Sequence, residues 1–208
     1  MSEINNPKRG RLVVVSGPSG VGKGTVLKYV LSHDEFVYSV SATTRAPREG
    51  EENGRDYFFI SREKFEAMIE NNEFVEYAQY NGNYYGTPKF FVEKMLSEGK
   101  NVILEIEVKG ALQIKKKMPD AVYVFIAPES REILEARLRG RGTEHEDVIR
   151  NRLLIAENEI HSCLMYDYIA INKDGKAEEC ANDIMCAVRA DGMRPNNRYD
   201  EVSDFFGV

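Results

Sequence analysis

Between Gly17 and Thr25 the chain reads GPSGVGKGT. The four glycines of this stretch, Gly17, Gly20, Gly22 and Gly24, let the backbone turn tightly and leave N–H groups free to point inward. Pro18, Ser19 and Val21 complete the loop, and Lys23 adds an ammonium where a helix would begin. Inward N–H groups, a helix N-terminus and one cation together suit a polyphosphate. The spacing from Gly17 to Lys23 is G-x-x-x-x-G-K, after which Ser or Thr ordinarily supplies a hydroxyl to Mg2+. Here that position is Gly24, and the hydroxyl follows one residue later at Thr25. Either Thr25 takes part of the role or water fills the metal shell.

A second group of candidates lies in SATTRAPREGEENGRDYFF, Ser41 to Phe59. Arg45 and Arg48 stand three apart with Pro47 stiffening the loop between them. Two guanidiniums held close repel unless an anion sits between them, and their forks match phosphate oxygens. Two solvated surface arginines are the equal alternative on spacing alone. Tyr57, Phe58 and Phe59 beside them argue against a disordered linker. Further on, Glu105 and Glu107 close an apolar run, where a parallel sheet presents groups to ligand. Arg137, Arg139, Arg141, Arg150 and Arg152 crowd a later segment, with Gly140 and Gly142 flanking Arg141. Arginines on a swinging segment suit closure over a transferring phosphate. Charge at a helix C-terminus accounts for Arg139 alone just as well.

The elements that must hold these groups follow from periodicity. Leu12–Val15 reads as a buried parallel strand and Val21–Ser32 as the first helix. Val37–Val40 reads as a strand edge, Ser61–Asn72 as a helix capped by Ser61, and Glu73–Tyr80 as an alternating strand. Asn81–Gly86 has turn chemistry, and Thr87 and Pro88 read as a cap and first-turn proline of a helix closing at Gly99. Asn101–Glu107 and Ala121–Ile126 are further buried strands, with a short helix, Gly110–Lys117, between them. Ser130–Arg139 and Val148–Ile160 read as helices, Asp167–Ile171 as the last strand and Ala177–Ala190 as a closing helix; Met193–Val208 shows no clear period. The class is α/β.

The 208 residues suit one such domain, and 42% apolar with 30% charged residues allow a core and a solvated surface. A net charge of −6 argues against general nucleic-acid binding but leaves room for a locally basic cleft. Cys163, Cys180 and Cys186 lack metal-type spacing and read as reduced thiols; His33, His145 and His161 suggest neither metal site nor triad. With no signal peptide and no apolar run of membrane-spanning length, the chain is expected to be cytoplasmic, with no membrane partner.

GPSGVGKGT, SATTRAPREGEENGRDYFF, NEFVEYAQYNGNYYGTP, ILEIEVKGA, RLRGRGTE and VIRNRL occur in the order found in guanylate kinases, and the chain resembles that family over about residues 9–190. The resemblance implies Mg2+-dependent phosphoryl transfer from ATP to GMP, with dGMP a further acceptor, in purine nucleotide metabolism and GMP recycling. It implies a phosphate-loop core with helices on both faces (9–40, 88–128 and 160–190), an inserted mixed α+β GMP-binding subdomain (about 41–87), a helical lid (about 129–159) and a tail (191–208). By the same resemblance Arg45, Arg48, Tyr57 and Tyr85 would hold the GMP phosphate, and Ser41, Glu76 and Thr87 would read guanine. Guanine offers N1–H and N2–H2 donors that one carboxylate can accept together, whereas adenine would face Glu76 with a lone pair. Lys23 would neutralise the β- and γ-phosphates of ATP, Arg137, Arg141 and Arg152 would close on the transferring group, and Asn172 would lie near adenine. Glu105 and Glu107 match the family's acidic pair and by that resemblance would be GMP-binding, but Asp is usual at the second position, so Glu107 could meet guanine, the GMP phosphate region or metal-bound water. No direct protein ligand to Mg2+ beyond Thr25 is suggested, and a homo-oligomer is left open. The competing reading is a guanylate-kinase-like interaction module that binds phosphopeptides; such modules typically lose phosphate-loop residues, whereas Lys23, Arg45, Arg48, Glu76 and Arg141 all stand here.

Overall fold

The computed structural model describes residues 9–80, 82–140 and 145–207. Five strands form a parallel sheet: β1 (Leu12–Ser16), β2 (Phe36–Tyr38), β7 (Asn101–Glu105), β8 (Val122–Pro128) and β9 (Tyr168–Asn172). Their order is β2-β7-β1-β8-β9, so the strand that feeds the glycine-rich loop is central. β1 reads LVVVS and is buried throughout, as a parallel strand covered on both faces requires.

Its alternation divides the core. Val13 and Val15 pack with Val26, Leu27 and Val30 of helix α1 (Lys23–Val30) and with Cys180, Ala181 and Ile184 of α7 (Ala177–Asp191). The same cluster takes in Leu134 and Leu138 of α5 (Arg131–Arg139) and Leu153 of α6 (Glu146–His161). Leu12 and Val14 face the other way, towards Val92 and Leu96 of α3 (Lys89–Ser97) and Ala111 and Ile114 of α4 (Val108–Lys117). Helices therefore cover both faces.

A second sheet, order β4-β3-β6-β5, is built from β3 (Ala42–Thr43), β4 (Phe58–Phe59), β5 (Phe74–Tyr80) and β6 (Asn83–Pro88). Helix α2 (Arg62–Glu70) covers one face of it, with Phe65 stacked on Phe74 at 4.3 Å and on Tyr84 at 5.1 Å. Ser61 caps α2 by accepting from Lys64 N at 3.2 Å, and Ser130 caps α5 in the same way through Ile133 N.

Several elements depart from expectation. Thr87 and Pro88 end strand β6 instead of opening a helix; α3 starts at Lys89 with no side-chain cap. Cross-strand pairing with Phe74 and Glu76 overrides the local cap signal. NGNYYG contributes strand from Asn83 onward, with its bend at Gly82, φ 76°. β7 stops at Glu105, and Glu107 becomes the residue before α4. The tail holds a 3-10 turn (Pro195–Asn197) and α8 (Tyr199–Phe206). On α7 Cys186 is exposed, although helical spacing with Ala181, Ile184, Ala187 and Val188 predicts it inward, while Cys180 is buried. No described helix is long and apolar enough to cross a membrane.

Candidate active site

The loop between β1 and α1 sits at the C-terminal edge of the parallel sheet, where α/β folds bind ligands. Gly17 has no room for a side chain: a Cβ would lie 2.3 Å from the Ile126 carbonyl oxygen. Gly22 adopts φ 94°, a left-handed conformation that favours glycine, and its Cβ would come within 2.7 Å of Asn172 Nδ2. Gly24 is different, since a Cβ there meets nothing within 4 Å. Lys23 folds back over the loop and donates from Nζ to Gly17 O at 2.7 Å and to Pro18 O at 3.3 Å.

A cavity of about 840 Å3 opens on this loop. Gly17, Ser19, Lys23, Glu105, Glu107 and Arg152 all line it. Glu159, which the sequence reading passed over, lines it too; it lies seven residues after Arg152, on the same face of α6. Burial raises the Glu159 carboxyl pKa, the Lys23 ammonium opposes that shift, and Glu107 adds to it.

The second sheet supplies the other half. Its register pairs Glu76 with Thr87, Ala78 with Tyr85, and Thr43 with both Tyr85 and Phe59. Paired residues share a face, so Glu76, Thr87 and Tyr85 stand opposite the face that α2 covers. Thr87 Oγ1 donates to Glu76 Oε1 at 2.8 Å. Burial raises the Glu76 pKa, and the Thr87 hydrogen bonds pull against it. Tyr57 meets Tyr85 edge-on at 6.1 Å, and the Arg45 guanidinium lies 5.5 Å from the Tyr57 ring centre. Arg45, Tyr57 and Tyr85 are therefore together. Ser41 lies beside them in the chain leading into β3, its carbonyl accepting from Phe58 N at 2.8 Å.

The organiser of the arginine loop is Glu51, another residue the sequence reading missed. It accepts from Arg45 Nη2 at 2.9 and 3.0 Å and from Arg48 N at 2.7 Å. The Arg45 hydrogen bond, then the Arg48 N–H, holds its carboxyl below the usual range. Arg48 itself is exposed. The available signal was Glu51 standing six residues after Arg45 and three after Arg48.

A cavity of about 570 Å3 is lined by Glu76, Tyr77, Ile106, Glu107 and Gln113. Ile106 and Glu107 border both cavities, so the two sites abut beyond the end of β7. Tyr38, at the end of β2, donates to Glu105 Oε2 at 3.5 Å. Burial, then the Glu105 charge, pushes the Tyr38 hydroxyl up to about 12.

Two expected residues bond beneath the loop, and a third lies outside the described residues. Arg137 donates to Val21 O at 3.0 Å and to Asn172 O at 3.2 Å, beneath the loop. Asn172 is buried at the end of β9 and donates from Nδ2 to Val21 O at 2.7 Å. Arg141 falls outside the described residues.

Mg2+ fits this chemistry. Among the described residues no three His, Cys, Asp or Glu side chains gather into a cage. The hydroxyl of Thr25 on the exposed first turn of α1 and the carboxylates of Glu105 and Glu107 are hard oxygen donors. Such a sparse set suits an ion that keeps water and phosphate ligands.

The parallel sheet and its loop define a phosphate-loop nucleotide-binding protein of the α/β class. A family model described as guanylate kinase matches residues 9–189. The chain is 58% identical over 167 residues to a guanylate kinase of Bacillus anthracis, spanning 79% of this chain and 82% of that one. A guanylate kinase of Enterococcus faecalis is 53% identical over 169 residues, 80% of this chain and 83% of its own. The crystal structure of guanylate kinase from Anaplasma phagocytophilum superposes with a TM-score of 0.65 at 35% identity, over 90% of this chain and 88% of that chain. The chain belongs to the guanylate kinase family.

Proposed function

We propose that the protein transfers the γ-phosphoryl group of ATP to GMP in a Mg2+-dependent reaction, accepts dGMP as well, and serves purine nucleotide metabolism and GMP recycling. Family membership makes it a nucleoside monophosphate kinase, an ATP:GMP phosphotransferase. The observation that supports the residue roles most is the abutment of two cavities at Ile106 and Glu107, one lined by Lys23 and the other by Glu76. A donor on the loop and an acceptor on the second sheet would meet there.

The acceptor phosphate is already anionic, so the chain needs no strong general base. Its task is to position two anions and neutralise their repulsion. Lys23 supplies a cation at the loop, where its Nζ would exchange the Gly17 carbonyl for phosphate oxygens. Arg45 and Arg48, with the hydroxyls of Tyr57 and Tyr85, would grip the GMP phosphate. Glu76, oriented by Thr87, would accept from guanine N1–H and N2–H2, with Ser41 a further contact to the base. Arg152, and Arg141 beyond the described residues, would bring positive charge from the 129–159 segment. Bound Mg2+ would screen the phosphate charge, held through Thr25 and through water on Glu105 and Glu107. The 41–87 and 129–159 segments would close together over the core to exclude water, without which ATP would be hydrolysed.

The test is ADP formation from ATP and Mg2+ with GMP, dGMP, AMP and UMP as separate acceptors. Turnover confined to guanine nucleotides is expected. Folded protein that turns over none of them would favour the phosphopeptide-binding module.

A further inference from the structure

The Val21 carbonyl is an unusual hub. It accepts from Asn172 Nδ2 at 2.7 Å and from Arg137 Nη1 at 3.0 Å, and these donors stand 151 and 116 residues away in the chain. Arg137 also donates to the Asn172 carbonyl at 3.2 Å, so α5, β9 and the loop are tied at one point. The amide orientation of Asn172 follows from its partner, because only its nitrogen can donate to a carbonyl. The residue is 4% exposed, and its Oδ1 accepts from no described residue.

The consequence for the loop is geometric. In a trans peptide the C=O and the following N–H point in opposite directions, and no peptide bond among the described residues is cis. Holding the Val21 oxygen towards α5 and β9 therefore turns the Gly22 N–H away from them. The left-handed φ of 94° at Gly22 is the backbone form of that orientation. Asn172 also fills the space that a Gly22 side chain would need.

We propose that Asn172 is a positioning residue of the phosphate loop: with Arg137 it sets the Val21–Gly22 peptide, and it supports ATP use through the triphosphate rather than through the adenine. The proposal rests on the reading that this loop holds the ATP phosphates. It departs from the position near adenine that the resemblance implies, since a residue near adenine and a residue beneath the loop differ in what they sense.

The experiment compares the full-length protein with Asn172→Ala by calorimetric titration with ATP, inorganic tripolyphosphate and GMP, Mg2+ present throughout, and by steady-state turnover with ATP and GTP as donors. Loss of one loop hydrogen bond should weaken ATP and tripolyphosphate alike, by roughly three- to tenfold. GMP affinity should stay within about twofold, the ratio of kcat/KM for ATP over GTP should not change, and this pattern supports the proposal. Retained tripolyphosphate binding with weakened ATP and a lost preference for ATP over GTP would overturn it in favour of direct adenine contact. Equal weakening of GMP would overturn it in favour of general structural damage. Wild-type protein that binds neither ATP nor tripolyphosphate would instead refute the phosphate-loop reading itself, and the proposal with it. Asn172→Ser, which keeps a small polar group at this buried strand end, carries the same comparison where the alanine variant does not fold.

Discussion

At the scale of single residues, burial and partners decide what each charge can do. Lys23 donates its ammonium to the Gly17 and Pro18 carbonyls, so the side chain is already folded over the loop where phosphate is proposed to bind. Lys23→Ala should lower kcat by at least about 100-fold while GMP binding, measured by calorimetry, stays near wild type; near-normal turnover would refute the role. Glu76 supplies a pH signature. Its pKa is raised, chiefly by burial, so on acidification it takes up a proton at a higher pH than an ordinary glutamate. Only the carboxylate can accept from both guanine donors, so GMP affinity should fall as pH drops through that raised value. Glu76→Gln should remove this dependence and cut the preference for GMP over AMP by tenfold or more. A GMP affinity that follows the same pH profile in both proteins would argue against guanine reading by Glu76.

At the scale of elements, the glycine-rich loop shows which of its glycines are obligatory. Gly24 tops an exposed first turn with open space around it, so Gly24→Ser should keep kcat within a few-fold of wild type. Gly22→Ala must place a Cβ at φ 94° and 2.7 Å from Asn172 Nδ2, and should cost at least tenfold in kcat/KM for ATP. Turnover of the two variants side by side tests the contrast; a collapse of Gly24→Ser would mean the loop needs glycine there for reasons outside its packing. The second sheet shows a different dependence. Glu51 ties Arg45 to the backbone of Arg48, and Glu51→Ala should raise the GMP KM about tenfold by releasing that guanidinium. Unchanged GMP kinetics would show that the arginine loop orders without its carboxylate. Spacing alone did not single out Glu51 for this part. Arg45 and Arg48 stood out because guanidiniums three apart suit an anion as well as they suit solvent, whereas Glu51 was one glutamate among several. Thr87 carried a strong local cap signal, yet its hydroxyl is claimed by Glu76 across the sheet. The tail was misread although Tyr199, Val202 and Phe206 recur at helical intervals.

At the scale of the whole molecule, the sequence made the parallel core and the loop plain because each element there agrees with its own pattern. β1 alternates its packing between two helical layers, and the glycine-rich loop and Glu105 stand at the ends of adjacent parallel strands. What no linear pattern could supply is the meeting of distant parts: Glu107 bordering both cavities, and Arg137 and Asn172 converging on Val21. That meeting sets the last expectation. Both cavities are open to solvent in a chain whose proposed chemistry fails if water reaches the transferring group. Filling both should therefore draw the 41–87 and 129–159 segments towards the core. Small-angle X-ray scattering with GMP and a non-hydrolysable ATP analogue should show a smaller radius of gyration than the free protein, with either ligand alone giving less contraction. ATP hydrolysis without GMP should run at least about 100-fold slower than transfer, because an unclosed site leaves the γ-phosphoryl group without its full set of cations. No contraction with both ligands bound would mean that these segments do not close, and that water is excluded by the substrates alone.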